Sequence, residues 1–205
     1  MYDALNTWED MTPYGQDLLA QGIKAVGRYI FNASAFKKLL TAAEAKHLSS
    51  LGLKLFTIWE DGSPTTPAYF TTARAKADYE AAYLHVKMLG MPSDATVYFA
   101  VDADLSPDDV KAYFDCIEAS CCDDGYPFGI GAYASGTVLQ FLADRGVINH
   151  GMLSESRGWS GFDAYKGSAD ILQVETKPFV GSDGKQNDVD WCRIQNEDAG
   201  FWSLP

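Results

Sequence analysis

The sequence is poor in positive charge. Its 205 residues carry 16 Lys and Arg against 28 Asp and Glu, a net charge of −12, and no basic run occurs in it. Nucleic acid and anionic membrane surfaces are recognised through clustered cations, so both are set aside as partners. Histidine is also scarce: His47, His85 and His150 fall on helical segments or a loop, away from the acids, which argues against a transition-metal centre. Cys116, Cys121, Cys122 and Cys192 lack the paired spacing of a zinc site, and an adjacent Cys121-Cys122 pair is awkward for a structural bridge. They read as reduced packing residues. No apolar stretch approaches the length of a membrane span. The opening Met1-Tyr2-Asp3-Ala4-Leu5 lacks a basic segment followed by an apolar run, so no signal peptide is expected and synthesis in the cytoplasm is. A Gly-Xaa-Ser-Xaa-Gly elbow, a Walker loop and dinucleotide glycine spacing are all missing, so no cofactor is expected. Linkers, repeats and low-complexity tracts are missing too, which leaves one domain over residues 1–205, expected to be a monomer.

What is present is an alternation of short β-rich runs with helical segments. Strand signals occur at 2–5, 25–30, 54–60, 96–102, 128–133, 152–155, 171–175 and 189–194. Helix signals separate most of them: Thr12-Pro13 as N-cap and first position, Thr41-Ala42-Ala43-Glu44 as a capping box, a long segment over 71–89 closed by Gly90, and Ser106-Pro107-Asp108-Asp109 opening another helix. The segments after the sixth and seventh strands look short or missing. Alternation of this kind predicts a parallel sheet, and eight strands predict closure into a (β/α)8 TIM-like barrel; a doubly wound open sheet is the alternative.

Barrel sites sit where strands end, and acids gather there. Asp3 adjoins the first strand, Glu60 ends the third, Asp102 and Asp104 end the fourth, Glu155 is late in the sixth, and Asp188 and Asp190 flank the start of the eighth. Converging carboxylates repel and resist desolvation, so packing alone does not account for them. Arg28 is the cation best placed to compensate. In Val101-Asp102-Ala103-Asp104, residues i and i+2 of an extended strand point the same way, about 6–7 Å apart, so Asp102 and Asp104 are expected to share one site. Such a pair can hold one carboxyl protonated beside a charged one, the division that glycoside hydrolysis needs. A carboxylate-only site for Mg²⁺ or Ca²⁺ is the competing chemistry.

Tyr2-Asp3-Ala4, Val26-Gly27-Arg28-Tyr29-Ile30, Gly52-Leu53-Lys54-Leu55-Phe56, Val97 through Asp104 and Gly129-Ile130-Gly131-Ala132-Tyr133, in this order and spacing, resemble a glycoside-hydrolase-like TIM-barrel family related to the family 25 lysozymes. The resemblance implies a peptidoglycan hydrolase of lysozyme type, working without metal, with the cell-wall polysaccharide as partner. It implies action on the wall after release or non-standard export, as a phage-type lysin or a delivered effector. It places Asp3 at the first acid position, Asp102 at the second, Asp104 where the lysozymes carry their catalytic Glu, Asp190 (or Asp188) at the last, and Gln173 at a strand-seven Gln. Asp104 is one methylene shorter than that Glu, so Glu60 is the alternative acid. On this reading Asp102 orients water or steadies positive charge on the sugar, while Asp3 and Asp190 tune the acid and hold hydroxyls. Trp59, Tyr98, Tyr133 and Trp191 are candidate sugar platforms. A barrel that grips glycan without cutting it, and a carboxylate-metal hydrolase, are the rival readings.

Overall fold

The structure is a computed structural model that describes residues 2–32 and 39–205. Met1, on which the expectation of no leader partly rests, lies outside the described residues, as do residues 33–38. Eight strands close a barrel: β1 (Ala4–Thr7), β2 (Ala25–Ile30), β3 (Lys54–Trp59), β4 (Thr96–Ala100), β5 (Gly129–Ala134), β6 (His150–Leu153), β7 (Ile171–Thr176) and β10 (Asp190–Ile194). A two-stranded ribbon, β8 (Phe179–Val180) and β9 (Gln186–Asn187), fills the β7–β10 connection. The helices α1 (Gly15–Ala20), α2 (Ala42–Ser50), α3 (Thr72–Leu89), α4 (Pro107–Asp123) and α5 (Gly136–Asp144) cross over between parallel strands, and α6 after β6 is the single turn Phe162–Tyr165.

The expectation of eight parallel strands is corrected at the seam. β10 runs antiparallel to both β1 and β7. The β8–β9 ribbon explains the reversal: the chain after β7 stays at the mouth and turns back, with no crossover helix to return it to the far end. The reversal puts the start of β10, and so Asp190, at the mouth.

Local signals behave as their chemistry dictates, with two exceptions. Ser106 and Asp109 form a full capping box. Thr41 caps α2, but Glu44 does not reach back to the cap; its carboxylate binds Arg28 and the amide of Met11. Thr12-Pro13 open a 3₁₀ turn, and α1 begins at Gly15.

Two apolar layers follow from the period-2 alternation of the strands. The outer layer lies between strands and helices; the inner one fills the barrel with Ala4, Ala25, Phe56, Tyr98, Met152, Ile171 and Cys192. The barrel is narrow. A Cβ on Gly27 would sit 2.3 Å from the ring of Phe56. The C-terminal tail plugs the end opposite the mouth: Trp202 bridges to Leu55 and donates to Thr57 at 3.0 Å, while the Tyr98 hydroxyl donates to the Ala199 carbonyl at 2.6 Å.

Candidate active site

The same alternation carries the inner faces from apolar to polar toward the mouth. Along β3 it runs Phe56, Ile58, Glu60; along β4, Tyr98, Ala100, Asp102; along β10, read backwards, Cys192, Asp190. These ends enclose a cleft of about 330 Å³ that Tyr29, Tyr133, Ser154, Glu155, Gln173, Thr176 and Asn6 complete, with Met152 and Ile58 at its floor.

Three carboxylates face one another there. Glu60 is partly buried, and burial, then Asp102, then Asp190, push its pKa up to about 7. Asp102 is on the open rim, yet the cleft walls strip enough water, with Asp190 opposite, to raise its pKa as well. Among the described residues neither side chain accepts a hydrogen bond, so nothing offsets the cost of ionising them. Asp190 differs: Oδ2 accepts from the Asn6 amide at 2.8 Å and Oδ1 from the Thr176 hydroxyl at 2.6 Å. The Asn6 amide donates its second proton to the Tyr29 hydroxyl at 3.0 Å. Desolvation, Glu60 and Asp190 raise the Tyr29 pKa well above the phenol range, so this phenol stays protonated. On the opposite wall the Tyr133 hydroxyl donates to Gln173 Oε1 at 2.9 Å, and the amide of Glu155 donates to the same oxygen at 3.1 Å.

Thr176 reaches the mouth through a bulge. Cys192 pairs with Gln173 but Trp191 pairs with Glu175, so Val174 is the extra residue. Simple alternation from Gln173 would have pointed Glu175 inward; the bulge turns Thr176 inward, where its hydroxyl also lies 2.9 Å from Glu155 Oε1. Nothing in the sequence marks the bulge. Asn6, Tyr29 and Ser154 were within reach of the parity rule, because each lies two residues from an inward-facing neighbour.

Of the expected site residues, the structure brings together Glu60, Asp102, Asp190, Tyr133, Glu155 and Gln173. The others stand elsewhere. Asp3 precedes β1 at the plugged end, where its carboxylate accepts the Ile194 amide at 2.8 Å and lies 3.8 Å from Lys24; the inward residue of β1 at the mouth is Asn6. Asp104 does not share the cleft with Asp102: beyond β4 the alternation carries one step further to Asp102, and the chain then bends at Ala103. Asp104 instead accepts the amide and hydroxyl of Ser160 at 2.9 and 3.0 Å. Arg28 points outward and pairs with Glu44 at 2.7 Å, fully buried under α2. Trp59 and Trp191 belong to the outer layer, and Tyr98 is sealed inside the barrel below the cleft. Asp188 uses its backbone to bind Thr7 and Glu9 outside the cleft. Among the described residues, no group of three or more His, Cys, Asp or Glu side chains is arranged to hold a metal ion.

Comparison with known proteins agrees with this architecture. The chain is 31% identical over 154 residues to FadG of Bacillus subtilis (strain 168), an alignment over 71% of this chain and 27% of FadG. It therefore spans about a quarter of that relative's length. Among solved structures, the Mycobacterium tuberculosis Tat-secreted protein Rv2525c superposes with a TM-score of 0.78 at 19% identity, over 98% of both chains. The modular autolysin LytC of Streptococcus pneumoniae, solved with a synthetic peptidoglycan ligand, gives 0.64 at 14% identity over 93% of this chain and 46% of LytC. A family 25 glycosyl hydrolase from Bacillus anthracis gives 0.59 at 12% identity, over 96% and 91%. At these identities the likeness is one of fold. The model of the Rv2525c-like, glycoside hydrolase-like domain matches residues 16–192, and the chain belongs to that family.

Proposed function

We propose that the chain is a peptidoglycan hydrolase of lysozyme type that cuts a glycosidic bond with Glu60 as general acid. The observation that carries this reading is the unequal treatment of carboxylates in one cleft. Glu60 keeps its proton to about pH 7, while Asp190 is fixed by two donors. Departure of the sugar oxygen needs a proton, and the oxocarbenium-like charge left behind needs a carboxylate. Glu60 supplies the first. Asp190 faces the developing charge in a fixed orientation, and Asp102 on the rim steadies the same charge or orients water. Tyr29, Tyr133 and Gln173 offer the mixed donors and acceptors that sugar hydroxyls use. The place of action is then the cell wall, reached after release or export. Support for a glycan comes also from the autolysin of like fold solved with a peptidoglycan ligand.

One observation favours a second reading, a barrel that binds glycan without turnover: the inward position of β1 at the mouth carries Asn6 where the lysozyme resemblance led to an acid. Digestion of purified peptidoglycan, with mass analysis of the released ends, separates the two. New reducing ends that survive EDTA treatment support hydrolysis by carboxylates alone. Sedimentation with the wall and no new ends supports binding. Turnover lost in EDTA and restored by Mg²⁺ or Ca²⁺ points to a metal-dependent site.

A further inference from the structure

Arg74 lies on the first turn of α3, outside the barrel wall, yet it reaches the loop that carries Glu60. Its Nη2 donates to the Asp61 carbonyl at 2.9 Å and to Asp61 Oδ2 at 2.6 Å. Its Nε lies 2.8 Å from Asp78 Oδ1, one turn along the same helix. Asp78 is fully buried and accepts a hydrogen bond from the Tyr113 hydroxyl of α4 at 2.7 Å. The Tyr69 hydroxyl stands 2.9 Å from both Asp78 Oδ2 and the Asp61 carbonyl, and the Arg74 guanidinium lies 4.5 Å above the Tyr69 ring. Asp61 in turn accepts the amide of Asn32 at 3.0 Å, which ties the loop after β2 to the loop after β3.

An ion pair with one partner buried and the other, Arg74, half-buried is a weak source of stability, because desolvation cancels much of its attraction. The contacts of this one converge on the β3–α3 loop. Glu60 opens that loop, immediately before Asp61. Further along, the Pro64 carbonyl accepts the amide of Asp102 at 3.0 Å. Both of the mouth carboxylates that accept no side-chain hydrogen bond among the described residues therefore hang from the loop that Arg74 grips. Like charges left to themselves separate and hydrate.

We propose that Arg74 is a positioning residue: clamped by Asp78 and Tyr69, it fixes the β3–α3 loop so that Glu60 and Asp102 are held together against the cleft. Its relevance to catalysis rests on the reading of Glu60 as the acid. The groups that face Glu60 are Asp102, Asp190, Tyr29 and Tyr133. Those that face Arg74 are Asp61, Asp78 and Tyr69, with His85 of α3 near Asp61.

The sign of the effect separates positioning from simple electrostatics. Removing a cation raises the pKa of a nearby carboxyl. Releasing the loop hydrates Glu60 and lowers it. The test follows the Glu60 carboxyl carbon by NMR across pH in the full chain, for the wild type, Arg74→Met, Arg74→Lys and Tyr69→Phe, with thermal unfolding run in parallel. In Arg74→Met the midpoint is expected to fall from about 7 by roughly one unit or more. Tyr69→Phe gives a smaller fall, and Arg74→Lys restores part of it. A folded Arg74→Met with an unchanged or raised midpoint overturns the proposal, whatever its melting temperature. Should Arg74→Met not fold, Tyr69→Phe decides: it removes one hydroxyl and no charge, and an unchanged midpoint overturns the proposal. A wild-type midpoint in the ordinary carboxylate range overturns it as well. Failure of the hydrolase reading shows separately, as wild-type protein that releases no ends from peptidoglycan while the titration behaves as stated.

Discussion

The two ends of the barrel treat buried carboxylates in opposite ways. Asp170, at the plugged end before β7, is partly buried, as Glu60 is at the mouth. Burial pushes its pKa up, but His150 beside it, the Gly151 amide at 2.7 Å and the Asn196 side-chain amide at 2.7 Å outweigh that and hold it below the ordinary range. Glu60, at the open end, meets burial and two further carboxylates with no compensating donor among the described residues, and its pKa rises to about 7. The fold thus has the means to satisfy an acid and uses them at the end that must stay shut. Leaving Glu60 unsatisfied costs stability, and a group that costs stability where a satisfied one was available is the stronger candidate for chemistry.

The largest effect expected from breaking this contrast is on turnover. If the proposed reading holds, Glu60→Gln, which keeps the shape and removes the transferable proton, lowers cleavage of peptidoglycan by roughly 10²–10⁴-fold. Asp104→Asn, tied to Ser160 outside the cleft, keeps near-wild-type cleavage. The reverse pattern in the same digestion assay would move the acid back to the end of the fourth strand. The pH profile carries the same information. On the proposed reading the reaction requires Glu60 protonated, so kcat/KM is expected to fall as pH rises through about 7. Asp190→Asn removes a like charge from opposite Glu60 and moves that limb toward acid; a limb that does not move would detach Asp190 from the acid.

Stability sharpens the comparison at the next level down, and with opposite signs at the two ends. Glu60 has a raised native pKa, so the native state is favoured most at low pH and loses that advantage as pH rises from about 4.5 to about 7. At about 1.4 kcal/mol per unit, Glu60→Gln stabilises the protein by up to ~3 kcal/mol at pH 8 and by almost nothing at pH 4. Asp170 has a depressed native pKa. Its contribution is present above the unfolded-state pKa and is lost as pH falls through the native one, so Asp170→Asn destabilises by ~1–3 kcal/mol at pH 7 and less in acid. Denaturant melts of both variants at the two pH values check this. Two changes of the same sign at pH 8 would remove the distinction between the ends.

Much of this arrangement was legible before any coordinates. Short strands alternating with capped helices point to a closed barrel, and Glu60, Asp102, Glu155, Gln173 and Asp190 meet at its mouth. The direction of β10 was not legible, because alternation reads the same forwards and backwards. Side-chain parity between adjacent residues is legible in the sequence as well, and it excludes three of the expected site residues. Trp59 adjoins Glu60, Trp191 adjoins Asp190 and Arg28 adjoins Tyr29, so neither tryptophan nor the arginine can share the mouth with its neighbour. Each instead fills the outer layer, where a both-faces-buried strand needs bulk as much as it does inside. Asp104 stands apart for a different reason: the chain bends at Ala103, so extended geometry does not continue from Asp102 to Asp104. The bulge that delivers Thr176 depends on pairing between two strands and leaves no trace in either one.

The smallest effect tests the comparison from the plugged end. Asp3 adjoins β1 as Glu60 adjoins β3, and by sequence both are acids next to barrel strands. Their difference is direction: Asp3 lies before its strand and Glu60 after it, so in a parallel pair they stand at opposite ends. Asp3 accepts one backbone amide, and its contact with Lys24 spans 3.8 Å to an ammonium that is 66% exposed. An exposed pair of this kind contributes little, and Asn can still accept the amide of Ile194, so Asp3→Asn is expected to cost under ~1 kcal/mol. Cleavage of peptidoglycan should not change, because Asp3 precedes β1 at the end of the barrel opposite the cleft and does not line it. Loss of cleavage in a variant that melts like the wild type would mean that the plugged end takes part in the reaction, and the contrast drawn between the two ends would fall with it.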